Sequence, residues 1–268
     1  MPAGVQPDGL KIMPTYKTKG IVLFKKDLSQ NDGLFVILSQ NFGKITVKAR
    51  GVRKTQSKLA SHLLSFNLVD LTFASGRFFD QITSVNVVET YPKAKNNLKR
   101  LSLIFFAAEA IDQLVKEKVP EPELFSLFKD FLNLLNEKKI TKPLSYFLAL
   151  FIFKLIYQLG YQPELYFCQN CRKKILPEKN YFSPELKGVV CLSCQNRVKG
   201  AFPISNNTIK ILRLASKLSL EKLIKIKIGD REVSELGRLA QILLKSHLDH
   251  ELKSEKFLRL FSAYSPKS

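Results

Sequence analysis

The residues best placed to do chemistry are four cysteines. Cys168-Gln169-Asn170-Cys171 and Cys191-Leu192-Ser193-Cys194 each have the form Cys-x-x-Cys, nineteen residues apart, and the chain has no other cysteine. Each pair sets two thiolates on one tight turn, and two such turns close a tetrahedral shell of soft donors of the kind zinc prefers. The spacing predicts one structural Zn2+ held by Cys168, Cys171, Cys191 and Cys194, with no open position for a catalytic water. An iron–sulfur cluster or two reduced, metal-free pairs are the alternatives. Arg172, Lys173, Lys174, Arg197 and Lys199 flank the motif. They would offset the negative charge of four thiolates or extend a nucleic-acid surface. Zinc knuckles often carry Gly after the second cysteine, and Arg172 and Gln195 take those places here.

The second pattern is a basic stripe. Lys44, Lys48, Arg50, Arg53, Lys54 and Lys58 lie in a segment with no acidic residue. In a strand Lys44, Thr46, Lys48 and Arg50 share one face and Ile45, Val47 and Ala49 the other. The apolar set is expected in the core and the basic set in a row. Arg53, Lys54 and Lys58 would continue that row on the loop after Gly51, with Lys25 and Lys26 as neighbours. Such a row suits a phosphate backbone and cannot read base sequence. Its charge equals the whole net charge of residues 1–90, which hold 12 basic and 6 acidic residues. Phe24, Phe35 and Phe79 could stack on bases, but each is expected in the core.

Other chemistry is thin. There is no Gly-x-x-x-x-Gly-Lys-Ser/Thr loop, which excludes a P-loop ATPase. His247 and His250 lie three apart on a predicted helix and are expected to be solvated, as no carboxylate set accompanies them. Glu164 with Glu185-Leu186-Lys187 is a faint nuclease-like match of a sort that chance supplies in a Lys-rich chain. No catalytic residue is assigned, and the chain reads as a non-enzyme.

The elements that must carry these residues follow from length and periodicity. The chain has 268 residues, 45 % of them hydrophobic and 25 % charged, with a net charge of +20. That composition excludes a disordered or fibrous protein, and the charge calls for a polyanionic partner. The longest apolar run, Tyr146 to Phe153, stops at Lys154 and falls far short of the about 20 residues a membrane helix needs. Met1 to Lys11 lacks the apolar core of a signal peptide. A cytoplasmic protein without membrane contact is expected, where thiols stay reduced.

β-branched and aromatic runs at 16–25, 34–40, 44–52, 66–74 and 79–89, punctuated by turn residues, predict five strands in a small barrel. An OB-fold fits that count, and an SH3-like barrel fits nearly as well. From Ala94 the period becomes helical. Tyr146 to Leu159 is apolar nearly all round, as in the buried central helix of a bundle. Helical spacing resumes at about 206–218 and 233–252, with a short helix at 255–261. The expected organisation is α+β. It comprises a disordered extension (1–14), a small barrel with the basic stripe (15–90), a helical region in two parts (91–160 and 202–268) and a cysteine-bearing loop region between them (161–201).

Several strings, in this order, resemble the RecO family of bacterial recombination mediators. They are Tyr16-Lys17-Thr18-x-Gly20-Ile21-Val22-Leu23, Gly43-Lys44, Arg50-Gly51-Val52-Arg53, Phe66-x-x-Val69-Asp70-Leu71, Gly160-Tyr161-x-Pro163-x-Leu165-x-x-Cys168-x-x-Cys171 and Leu252-Lys253-Ser254-x-x-Phe257-Leu258. The resemblance spans about residues 14–262. It implies a five-stranded OB-fold followed by an all-α domain with an inserted four-cysteine zinc ribbon. It also implies binding of single- and double-stranded DNA, annealing of complementary strands, association with RecR, and recognition of the C-terminal tail of single-stranded DNA-binding protein. Assistance to RecA and a nucleoid-associated place in the cytoplasm follow in the same way. A zinc-ribbon RNA-binding or transcription-associated factor is the alternative, and a nuclease the third reading.

Overall fold

The computed structural model describes residues 14–28, 31–54 and 57–260. The expected disordered extension therefore lies outside the described residues, apart from Pro14. The chain divides into two units: Met1–Thr90 with Glu117–Pro120, and Tyr91–Lys116 with Glu121–Ser268.

The first unit holds β1 (Thr15–Asp27), β2 (Gly33–Ser39), β3 (Gly43–Ala49), α1 (Lys58–His62), β4 (Leu68–Ala74) and β5 (Asp80–Glu89). The strand order is β1-β2-β3-β5-β4, and the β1–β4 ladder closes it into a barrel. All pairings are antiparallel except β3 with β5. Alternation fills the interior: Ile45, Val47 and Ala49 point inward from β3 and join Val22, Phe35, Ile37, Val69, Leu71, Phe73, Ile82 and Val85. The short helix α1 packs Leu59 and Ala60 against this core, and His62 Nδ1 lies 3.0 Å from the Val85 carbonyl oxygen.

The second unit begins with α2 (Pro92–Lys95), α3 (Leu98–Leu114), α4 (Pro122–Asn136) and α5 (Leu144–Gln158). Asn97 caps α3 by accepting from the Arg100 N–H, and Pro122 opens α4, where its missing N–H costs nothing. Tyr146 to Phe153, Leu155 and Ile156 are buried on every side of α5, which packs against α3, α4 and the later helices. The Tyr146 hydroxyl donates to the Leu223 carbonyl at 3.0 Å, and burial pushes its pKa up to about 12.

The stretch between the helices is not a loop. β6 (Asn180–Ser183), β7 (Gly188–Cys191) and β8 (Phe202–Ile204) form a sheet in the order β7-β6-β8. Its third strand lies just past the boundary expected at 201. Four helices follow: α6 (Asn206–Ala215), α7 (Leu220–Leu223), α8 (Asp230–Lys245) and α9 (Lys253–Leu260). The helix expected over 233–252 thus ends at Lys245, and the short helix expected at 255–261 begins at Lys253. Glu109 of α3 explains the second start. Its carboxylate accepts the N–H groups of Lys253 and Ser254 at 2.9 and 2.8 Å, together with the Ser254 hydroxyl. A carboxylate there satisfies donors that the first turn leaves unpaired.

Candidate nucleic-acid interface and metal centre

On the barrel, cross-strand register aligns Lys26 with Leu34, Leu34 with Lys48, and Lys48 with Gln81. Paired residues share a face, so Lys26 and Lys48 stand on the outside, two strands or about 10 Å apart. Lys25 falls in the opposite row, with Phe35 and Val47, yet it is exposed. Its stem crosses Gly33, where the missing side chain leaves room. Arg50, Arg53 and Lys54 are exposed on and after the end of β3.

Backbone bonds stitch that loop to the β1–β2 turn. The Gly51 N–H donates to Asp32 Oδ1 at 2.9 Å, and the Arg53 N–H to the Asn31 carbonyl at 3.0 Å. Asp32 Oδ2 also meets Lys48 Nζ at 2.8 Å. The Lys48 ammonium and the Gly51 N–H hold the Asp32 carboxyl below the usual carboxylate range. Lys48 is thus a paired cation. Arg50, Arg53, Lys54, Lys25 and Lys26 are the exposed cations of the basic rim.

Lys44 departs from the expected row, being only 6 % exposed. β5 pairs with β3 only at Val47 and Lys48. The side of β3 left vacant below that point is taken by Glu117–Pro120. The Lys118 N–H donates to the Lys44 carbonyl at 2.8 Å, and Thr46 Oγ1 donates to Glu117 Oε1 at 2.6 Å. Gly43 permits this approach. Its φ is +66°, and a Cβ there would lie 1.7 Å from the Val119 carbonyl oxygen. The Lys58 side chain lies outside the described residues.

In the second unit, the first Cys-x-x-Cys is a turn closed by the Arg172 N–H donating to the Cys168 carbonyl at 2.8 Å. The Gln169 N–H donates to the Val189 carbonyl at 3.0 Å, which ties that turn to β7. Cys191 ends β7, and Cys194 sits in a 3-10 helix, Leu192–Arg197. All four sulfurs lie within 4.8 Å of one another, with Cys171 Sγ 3.8 Å from Cys191 Sγ. A tetrahedral ion with thiolates at about 2.3 Å spaces its sulfurs about 3.8 Å apart, whereas a disulfide needs about 2.05 Å.

The Cys191 N–H approaches Cys168 Sγ at 3.4 Å. Burial raises the Cys168 thiol, but the backbone N–H groups of Cys171, Cys191 and Asn170 outweigh it and hold the pKa at about 6. Burial and the neighbouring sulfurs push Cys191 up to about 12. Four thiolates this close together repel one another unless a cation lies between them, so the set fits a metal and is compatible with zinc. Arg172 adopts φ 61°, the left-handed conformation for which knuckles use Gly.

Among the described residues this is the one group of three or more potential ligands close enough to hold an ion. His247 instead stacks on Tyr161 with ring centroids 4.4 Å apart. Glu164 Oε1 accepts the N–H groups of Tyr166 and Phe167 at 2.7 and 3.1 Å, a local turn rather than a nuclease carboxylate. Of the three phenylalanines named above and expected in the core, Phe35 is buried and Phe24 half-buried, whereas Phe79 is 40 % exposed. Phe78, which no sequence pattern marks, is 81 % exposed. A Phe-Phe pair at a strand start reads as core, and only the turn geometry separates the two cases.

The comparisons with known proteins cover both units. Residues 13–91 match the family described as recombination protein O, N terminal, and residues 95–256 the one described as recombination protein O, C terminal. A DNA repair protein RecO from Dehalococcoides mccartyi strain CBDB1 is 32 % identical over 89 % of this chain and 93 % of its own length. Those from Syntrophus aciditrophicus (32 %, over 91 % and 95 %) and Thermoanaerobacter sp. strain X514 (27 %, over 92 % and 98 %) align as fully. With both halves matched in order, the chain belongs to the RecO family of DNA repair proteins.

Proposed function

We propose that this chain is a non-enzymatic recombination mediator. In this reading it binds single- and double-stranded DNA, anneals complementary strands, and with RecR helps load RecA onto strands coated by single-stranded DNA-binding protein. The observation that carries the reading is the basic rim of the barrel. Arg50, Arg53, Lys54, Lys25 and Lys26 are exposed together on a stitched edge. Phosphate contacts are assigned to these five and to Lys58; Lys48, expected among them, is held by Asp32 and contacts phosphate only when that partner is lost. The barrel reads as an OB-fold. The order β1-β2-β3-β5-β4, the parallel β3–β5 contact and a helix between β3 and β4 support it.

The four cysteines are read as holding one structural Zn2+. The acidic, apolar-ended tail of single-stranded DNA-binding protein is assigned to the helical unit, which carries most of the chain's net positive charge. A cavity of about 600 Å³ there is lined by Phe153, Leu165 and Leu212 along with Lys187, Arg213 and Lys217. Apolar anchoring beside cations suits such a peptide.

The decisive experiment is annealing of complementary strands coated with single-stranded DNA-binding protein, without ATP. The reading expects annealing. Failure to anneal, with stable preference for structured RNA, supports the RNA-binding alternative. Divalent-metal-dependent cleavage supports a nuclease.

A further inference from the structure

We infer that the turn between β4 and β5, with Phe78 at its tip, is a base-stacking platform that gives the barrel its hold on unpaired strands. The inference rests on the DNA-binding reading above and adds to it an interaction that phosphate-binding cations cannot make. Phe78 is 81 % exposed, the most exposed large apolar side chain among the described residues, and Phe79 beside it is 40 % exposed. Covering such a ring with a flat apolar partner removes apolar surface from water and is favourable.

The turn is built to hold it there. The Gly76 N–H donates to Asp80 Oδ1 at 3.1 Å, and the Ser75 N–H donates to the Pro14 carbonyl at 3.1 Å. A Cβ on Gly76 would lie 2.0 Å from the Phe79 carbonyl oxygen, so only glycine permits this tight a path. Asp80 then pairs with Val47 of the basic strand. Phe78 therefore precedes by two residues the point where β5 joins β3.

Its surroundings specify the partner. The Arg77 guanidinium lies 5.4 Å from the Phe78 ring centroid, covering it with positive charge. The pairing is parallel, so Lys48 and Arg50 lie beyond the Val47–Asp80 pair from Phe78, with Arg50 about five residues or about 17 Å away along the sheet. That is within the span of the about 4–16 nucleotides a barrel of this size covers. An apolar protein surface would gain nothing from the Arg77 cation against the ring, whereas a nucleotide offers a flat base for the ring and a phosphate for the cation. Unpaired bases are free to stack on Phe78. Bases in a duplex are already stacked and would first have to be pulled apart.

The test is equilibrium binding of the full chain to fluorescein-labelled oligothymidylate and to a duplex of equal length, over a salt series. Phe78→Ala is expected to weaken oligothymidylate binding about 5- to 100-fold. Its salt slope should stay unchanged and duplex binding unaltered, while Phe78→Tyr keeps wild-type affinity. Equal single-strand binding by wild type and Phe78→Ala overturns the platform and leaves DNA binding by the rim intact. A parallel fall on single strand and duplex also overturns it, because stacking on unpaired bases cannot account for weaker duplex binding. No binding of either DNA by the wild-type chain at low salt overturns the DNA-binding reading itself, and this inference with it.

Discussion

The barrel rim and the cysteine ribbon are both basic, but their cations stand on different foundations. Arg50, Arg53 and Lys54 project from a loop whose backbone is fixed by Asn31 and Asp32, above a core of Val, Ile, Leu and Phe. Removing those charges leaves the core untouched. The ribbon has three strands of only three or four residues, and its fixed point is four sulfurs within 4.8 Å. Its neighbouring cations, Arg172, Lys173 and Lys174, flank a cluster that is negative once ionised. On the proposed reading, binding and folding are separable in the barrel and joined in the ribbon. Small units without a sufficient apolar core need a metal or a disulfide to fold.

The largest effect that sharpens this contrast is metal removal. Structural zinc binds small domains with an apparent free energy of about 10–16 kcal/mol, more than the marginal stability of most folds. Cys168→Ser, or a strong chelator, should therefore unfold the ribbon while DNA binding by the barrel persists. Elemental analysis with hydrogen exchange of the sheet amides checks it. A chelated protein that keeps its ribbon amides protected would show that the thiols need no ion, and the contrast would fail.

The barrel's side of the comparison is next in size. Each phosphate contact on a single strand contributes about 0.7 to the slope of log affinity against log salt. Replacing Arg50, Arg53 and Lys54 together with Ala should flatten that slope by about 2, with stability shifting by only about 0.5 kcal/mol. A binding titration across salt and a melting curve read the two halves. A large fall in melting temperature would show that the rim, like the ribbon, supports its own fold.

These contrasts were partly legible in the residues. The alternation of Ile45, Val47 and Ala49 with polar neighbours marks β3, because one face of a closed sheet must be apolar. Two Cys-x-x-Cys pairs mark a metal site, because tight turns make ligand spacing local. What escaped depends on distant chain. Lys44 is buried because Glu117–Pro120, about seventy residues later, fills the side of β3 that β5 leaves vacant. The break between α8 and α9, expected at 253–254, falls at 246–252, because Glu109 accepts from Lys253 and Ser254 across 144 and 145 residues. The exposure of Phe78 depends on a turn, and turns are where a string of apolar residues stops reporting on burial.

A smaller effect lies in the ribbon. Arg172 holds φ 61° to close its knuckle, at a cost of about 1–2 kcal/mol for a residue with a Cβ. Glycine removes that cost but has more freedom to lose from the unfolded chain, up to about 1 kcal/mol. The Arg172 hydrogen bond to Gln169 Oε1, 3.2 Å on the surface, adds little. Arg172→Gly should therefore stabilise the metal-loaded ribbon by about 0.5–1 kcal/mol, measured as resistance to chelator-induced unfolding. Destabilisation would mean that the charge on Arg172, rather than its backbone, matters to the cluster.

The smallest effect tests whether the barrel's cations are as independent of its fold as the comparison claims. Asp32 is the acidic residue of the rim, and it pairs with Lys48 at 2.8 Å while accepting the Gly51 N–H. Its folded pKa is held below the ordinary 3.8 by Lys48 first and Gly51 second. The ionised form therefore favours the folded state above about pH 3.8, and that contribution disappears as pH falls through the lower folded value. Asp32→Asn should make the chain slightly less stable at neutral pH, and the difference from wild type should vanish in strong acid. The same substitution releases the Lys48 ammonium on the outer face it shares with Lys26. One more phosphate contact then becomes available, and the salt slope on a single strand should steepen by about 0.7. An unchanged slope with reduced stability would place Lys48 among the residues that hold the rim together, leaving the phosphate contacts to Arg50, Arg53, Lys54, Lys25 and Lys26.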